Sequence, residues 1–301
     1  MTTPPSDGDG TVSWRALQAE AARRLADAGL GRPEVDARWI VEEASGFEGA
    51  EYVLGLDQPA TVRGVARFDR LVARRLAGEP LQYVLGRWGF RSLDLMVDRR
   101  VLIPRPETEQ VVGVALDELD RLGAERPGSP LLVADLGTGS GAIGLSIAAE
   151  RPRTVVWATD VSPEALAVAG ANLAGLGRAA TRVRLVEGLW FQALPPDLAG
   201  TLDLVVSNPP YVAPSDPLPR EVADWEPVGA LIPGPTGLEA LTELVDQAPR
   251  WLGRPGVLVV ELAPDQAAVI AAAAHRAGFG DVRVEQDLAG RDRAVVARID
   301  A

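Results

Sequence analysis

From Leu131 onward the chain repeats one pattern: a short, near-continuous apolar run, a tight loop, an alanine-rich stretch of helical period, and another apolar run. LLVADLG, TVVWATD, TRVRLVEG, LDLVVSN and GVLVVEL are such runs, separated by segments such as SPEALAVAGANLAGLG. A strand that is apolar on both sides is covered on both faces, and alternation with helices makes neighbouring strands parallel. DVRVEQD and RAVVARI follow, joined only by LAGR, a connection too short for a crossover, so this pair is antiparallel. The expected fold is α/β, a doubly wound, mostly parallel seven-stranded sheet. In such sheets ligands gather beyond the carboxyl ends of the strands, where the strand order reverses. The residues just after each apolar run are therefore the ones to read for chemistry.

Upstream the pattern differs. From Thr11 to about Pro80 the apolar residues recur with helical period: Leu17, Ala21, Leu25 and Ala28 on one face, and Val65, Phe68, Leu71, Val72 and Leu76 on another. GLGRP and LDQP break the helices. The segment EPLQYVLGRWGFRSLDLMVDRRVLIPRPE then shows short β-like alternation and ends at Pro104 and Pro106. Pro106 is suited to a helix first turn, and Glu107 and Glu109 to that helix's positive end. The expected organisation is a disordered tail over 1–10, a small helical domain over 11–84, a β-hairpin linker over 85–106, and the large α/β domain over 107–301.

Composition removes several kinds of chemistry. There is no cysteine and one histidine, so disulfides, thiolate metal sites and Cys nucleophiles are excluded and a multi-histidine metal site is not expected. His275, in AAAAHRAG, reads as the last turn of a surface helix. The net charge of -12 argues against a surface that grips a nucleic-acid backbone. The N-terminal residues lack the basic and apolar regions of a signal peptide, and no apolar run reaches membrane length, so a cytoplasmic protein is expected.

ADLGTGSGAIG follows the first strand and opens a helix. Gly139, Gly141 and Gly144 satisfy the G-x-G-x-x-G of dinucleotide sites, whereas Gly137, Gly139 and Gly141 satisfy the G-x-G-x-G of S-adenosylmethionine-dependent methyltransferases. Asp160, at the end of the next strand, suits ribose hydroxyls in either case. Asp135, just before the turn, leans toward the second reading, because a carboxylate there would favour a cationic sulfonium over a pyrophosphate.

VVSNPPYVAP, at the end of the fourth strand, decides between them. A planar NH2 group is a poor nucleophile because its lone pair is delocalised. Two acceptors holding both N–H bonds would orient it toward an incoming methyl, and Asn208 with the Pro209 carbonyl can supply them. Pro209 and Pro210 carry no N–H to compete and stiffen the turn, while Tyr211 can lie against a planar substrate group. No strong base is required, since the nitrogen becomes acidic once methylated.

Together NPPY and GTGSG resemble the amino-group methyltransferases that act on protein glutamine or on adenine N6. GEPLQYVLGRWGF and VLIPRPETE, then EPVGAL, TGLEAL and DLAGRDRAVVA, resemble the release-factor glutamine N5-methyltransferase family, over the chain from about Gly78 to its end. The resemblance implies a class I, Rossmann-like methyltransferase domain over 107–301. It implies transfer of one methyl from S-adenosylmethionine, without a metal, to the glutamine of the Gly-Gly-Gln motif in peptide chain release factors. The family's cofactor positions fall on Gly137, Thr138, Gly139, Ser140, Gly141, Asp160, Trp190 and Asn208, with Trp190 flanking the adenine. The glutamine falls on Asn208, Pro209, Pro210 and Tyr211, of which Asn208, Pro209 and Tyr211 carry the catalysis. Trp225, Glu226 and Pro227 are expected in a loop closing over the site. Two positions depart from the family pattern: Leu189, where an acidic residue often precedes the aromatic, and Ala263, where glycine is common. The expected partner is a release factor, with no nucleic acid or membrane and a monomeric enzyme. The rival readings are a ribosomal-protein glutamine methyltransferase, an adenine N6 methyltransferase, which would call for a basic recognition region, and a non-catalytic binding module.

Overall fold

The computed structural model describes residues 11–300, so the expected tail over 1–10 lies outside the described residues. The chain forms two compact units. One holds the described residues up to Gly86 together with Arg220–Trp225, and the other holds Arg87–Pro219 and the chain from Glu226 onward.

The first unit is helical: α1 (Trp14–Asp27), α2 (Pro33–Ser45), α3 (Ala50–Gly55), α4 (Val62–Leu76) and α5 (Leu81–Leu85). Ser13 starts α1 by accepting from the Ala16 amide at 3.3 Å, and Thr61 starts α4 by accepting from Gly64 at 3.0 Å. Such caps satisfy amides that have no partner inside the helix. Leu17, Ala21 and Leu25 pack with Ile40, Phe68 and Val72 in one core. Ala28 does not join its expected face: α1 ends at Asp27, and Ala28 is its exposed cap. Within this core Arg75 makes a buried ion pair with Asp36 at 2.7 Å and reaches Glu221 at 2.6 Å. That second contact ties Arg220–Trp225 to the helices. Breaking such a pair by removing one member costs about 3–5 kcal/mol, because the other charge stays buried.

The second unit opens with a hairpin, β1 (Arg87–Phe90) and β2 (Leu93–Met96), paired antiparallel. The long helix α6 (Pro106–Glu125) follows, with Pro106 in its first turn. Then come β3 (Leu131–Leu136), α7 (Ala142–Glu150), β4 (Thr154–Asp160), α8 (Pro163–Ala174), β5 (Val183–Glu187), β6 (Leu202–Ser207), the short α9 (Arg220–Ala223) of the first unit, α10 (Glu239–Trp251), β7 (Leu252–Glu261), α11 (Ala267–Arg276), β8 (Asp281–Gln286) and β9 (Asp292–Ile299). His275 lies in the last turn of α11 and is exposed.

The sheet order is β5-β4-β3-β6-β7-β9-β8. β3 to β7 run parallel, and β9 is antiparallel to both of its neighbours. This is the doubly wound, mostly parallel seven-stranded sheet the sequence implies. All six residues of β6 are buried, including Asp203, which accepts from the Leu132 amide at 2.6 Å and pairs with Arg126. The strand order reverses at β3 and β6, which are direct neighbours: Ala134 stands opposite Val205 and Asp135 opposite Val206. Continued two residues further, that register sets Gly137 and Asn208 side by side at the carboxyl edge. The Ser207 hydroxyl ties the two strand ends by donating to the Leu136 carbonyl at 2.6 Å. Among the described residues no helix is long and apolar enough to cross a membrane.

Candidate active site

At this switch point lies a cavity of about 620 Å³. Its floor is the loop after β3. The Gly137 and Thr138 amides both donate to the Thr159 carbonyl of β4, at 2.9 and 2.8 Å, bending the chain away from the sheet. Gly137, Gly139 and Gly141 have φ of 74°, 56° and 87°, a region where a side chain is strained. A Cβ on Gly137 would also stand 2.9 Å from the Trp190 ring.

Asp135 is fully buried; one of its oxygens accepts from the Thr138 hydroxyl at 2.5 Å and from the Gly144 amide at 2.9 Å. Burial pushes its pKa up to about 6, against the pull of those two donors. Asp135 does not line the cavity. It holds the loop to the start of α7, and Gly144 leaves it room: a Cβ there would lie 2.9 Å from the carboxylate. The third glycine of the dinucleotide reading thus has a structural role.

Asp160 does face the cavity. Its oxygens accept from the Gly139 amide at 2.8 Å and the Ser162 amide at 2.9 Å. Burial raises its pKa, and the backbone donors hold it down. Trp190, at φ 45°, is half-buried and lines the cavity with Leu189.

On the far side the cavity meets Asn208, Pro210 and Thr108. Asn208 Nδ2 donates to Thr108 Oγ1 at 3.2 Å, which leaves the amide oxygen free to accept from a substrate. Pro209 is buried, and Tyr211 turns its hydroxyl to Glu261 Oε1 at 3.4 Å. Burial beside that carboxyl raises the Tyr211 pKa, so the phenol stays protonated. Of the residues singled out in the sequence, the cavity gathers Gly137, Thr138, Gly139, Ser140, Asp160, Trp190, Asn208 and Pro210, but not Gly141, Pro209 or Tyr211, which stand behind its lining.

Pro227 lines the cavity. Glu226 does not: it is buried and braces the chain from below, accepting from Arg105 and, at 3.3 Å, from the Ile103 amide. Trp225 belongs to the helical unit. Glu107 pairs with Arg291 at 3.0 Å on the rim of α6, in keeping with a carboxylate at a helix start. Sequence reasoning missed Thr108 and Glu261. The only trace of Glu261 is an acid closing the otherwise apolar GVLVVEL.

The sheet order and the crevice at its switch point define a class I methyltransferase. The family described as PrmC N-terminal domain matches residues 16–86, and the one described as methyltransferase small domain matches 123–220. The structure resembles the N-terminal domain of human METTL16 in complex with SAH, with a TM-score of 0.51 at 17% identity over 74% of this chain and 81% of that one, a likeness of fold. A release factor glutamine methyltransferase of Xylella fastidiosa is 43% identical over 88% of this chain and 92% of its own length. Another, of Burkholderia pseudomallei, is 41% identical over 99% of both. The chain belongs to the release factor glutamine methyltransferase family.

Proposed function

We propose that this protein transfers the methyl group of S-adenosylmethionine to the side-chain amide nitrogen of the glutamine in the Gly-Gly-Gln motif of peptide chain release factors. The observation that carries this reading is Asn208: it lines the cavity one strand away from the glycine loop, with its own NH2 engaged by Thr108 at 3.2 Å and its oxygen left to accept.

The residues fit the cofactor. Gly137 and Gly139 open a cradle that a Cβ would crowd or strain, Asp160 accepts from ribose hydroxyls, and Trp190 flanks the adenine, with Leu189 an apolar neighbour. When bound, S-adenosylmethionine supplies an electrophilic methyl on a sulfonium. Asn208 and the Pro209 carbonyl accept the two N–H bonds of the glutamine amide and turn its lone pair toward that methyl. Pro210 walls the amide, and Tyr211 stiffens the turn from behind. The proton is lost after transfer, so no residue needs to act as a strong base. Orientation of this kind accounts for about 7–11 kcal/mol of a barrier. A hydroxyl substrate would leave one acceptor unpaired at about 1–3 kcal/mol, so the site selects NH2. The enzyme works as a monomer on the release factor in the cytoplasm, with no metal and no direct contact with nucleic acid or membrane.

Peptide mass spectrometry tests the reading. A release factor from the same organism, incubated with enzyme and S-adenosylmethionine, is expected to gain one methyl on the Gly-Gly-Gln glutamine, and none with Asn208→Ala. Methylation of another residue, or none despite proven cofactor binding, would overturn it.

A further inference from the structure

Glu261 is a buried carboxyl that the reaction above does not use, only 1% exposed at the carboxyl end of β7. Its strand lies beside β6 with Val260 opposite Ser207, so Glu261 stands level with Asn208, one strand over. Oε1 meets the Tyr211 hydroxyl at 3.4 Å, and Oε2 is buried without a partner at hydrogen-bonding distance. The Thr108 hydroxyl acts on the same carboxyl and lowers its pKa. A buried carboxyl with an unfilled oxygen is costly to keep, and its position behind the substrate side of the cavity gives it a use.

We propose that Thr108 and Glu261 are positioning residues that hold the Asn208 side chain with its oxygen toward the cavity. A threonine hydroxyl has one proton and two lone pairs. If the proton is directed at Glu261, the lone pairs are left for Asn208 Nδ2, which donates to Thr108 at 3.2 Å. The polarity then runs one way, from Asn208 through Thr108 to Glu261. The opposite rotamer of Asn208 would point NH2 at the incoming amide, setting donors against donors. Glu261 thus specifies an acceptor at the substrate face without touching substrate. The same carboxyl anchors Tyr211, so both polar groups of the NPPY turn share one support. The inference rests on the reading that Asn208 receives an amide nitrogen.

The chain contains two asparagines, Asn172 and Asn208, so protein labelled with 15N-asparagine gives two side-chain NH2 signals. Asn172 donates to the Met96 and Ser140 carbonyls at 3.1 and 2.8 Å and serves as the internal reference. Thr108→Val keeps the shape of the side chain and removes the hydroxyl. It is expected to shift or broaden the Asn208 signal, leave Asn172 unchanged, and lower kcat by about tenfold or more, with the S-adenosylmethionine KM within about twofold. Thr108→Ser is expected to restore both signal and rate. If Thr108→Val fails to fold, Thr108→Ala carries the same expectation. An unmoved Asn208 signal, an unchanged kcat, or no rescue by serine would overturn the proposal. The NMR readout needs no substrate, so a wild-type enzyme that ignores release factors but shows the Asn208 response would fail the functional reading alone.

Discussion

The two halves of the cavity are built by different means. The half lined by the glycine loop, the proposed cofactor side, is made of backbone: Gly137, Thr138 and Gly139 are fixed by main-chain amides bonded to Thr159 and Asp160, with the buried Asp135 holding the bend. The half beside the NPPY turn, the proposed amide side, is made of side chains, with Asn208 on Thr108 and Tyr211 on Glu261. Backbone construction fixes a shape that any change of φ disturbs. Side-chain construction fixes the direction of donors and acceptors, and a single exchanged atom alters it while the shape survives. Substitutions in the first half should therefore act on cofactor affinity, and those at the substrate face of the second on rate.

Asn208→Ala is the sharpest way to separate them. Turnover is expected to fall by about 10²–10³, as when an oriented hydrogen-bonding group is deleted from an active site, while the cofactor Kd measured by calorimetry changes by about twofold at most. Equal losses in Kd and kcat would erase the distinction.

Glu261→Gln probes what the side-chain half costs. Burial, resisted by Thr108 and Arg293 and reinforced by Glu107, pushes the Glu261 carboxyl from 4.5 up to about 7. Between those values the folded protein holds a proton that the unfolded chain has released. The stability this group contributes is therefore full below about pH 4.5 and lost as pH rises through about 7. Glutamine is neutral throughout. Thermal unfolding at pH 8 should find the variant more stable than wild type, by about 3 kcal/mol at most, with the advantage gone by about pH 4.5. A pH-independent difference between the two proteins would contradict the assignment.

Gly137→Ala tests the backbone half. At φ 74° and with Trp190 2.9 Å from the added carbon, the strain is about 1–3 kcal/mol. It should appear as weaker cofactor binding of about tenfold and a lower Tm, with kcat at saturation little altered.

The same contrast decides what could be read before the structure. The strands were legible because β3, β4, β6 and β7 are buried on both faces and so nearly uniformly apolar. The glycine loop was legible because positive φ selects glycine at fixed spacing, and Asn208 because prolines after a strand mark an abrupt end. Thr108 and Glu261 lie 100 residues before and 53 residues after Asn208, and nothing local distinguishes their residue types from a helix-start threonine or a strand-end acid. Asp135 was visible, but its direction was not: whether a carboxylate turns to ligand or to the loop amides depends on where Gly144 leaves space. The membership of Arg220–Trp225 in the helical unit was hidden for the same reason, since Glu221 meets Arg75 across 146 residues.

The bond from Ser207 to the Leu136 carbonyl has a thermal consequence. It joins adjacent strands at the edge from which both halves of the cavity depart, so the spacing between the starts of the glycine loop and the NPPY turn is set by one interstrand distance, about 4.8 Å. That spacing is among the stiffest lengths in a folded chain. Warming should leave that spacing intact until the sheet itself melts, so activity and the fold should disappear together, without a preceding range in which an intact protein has lost its alignment.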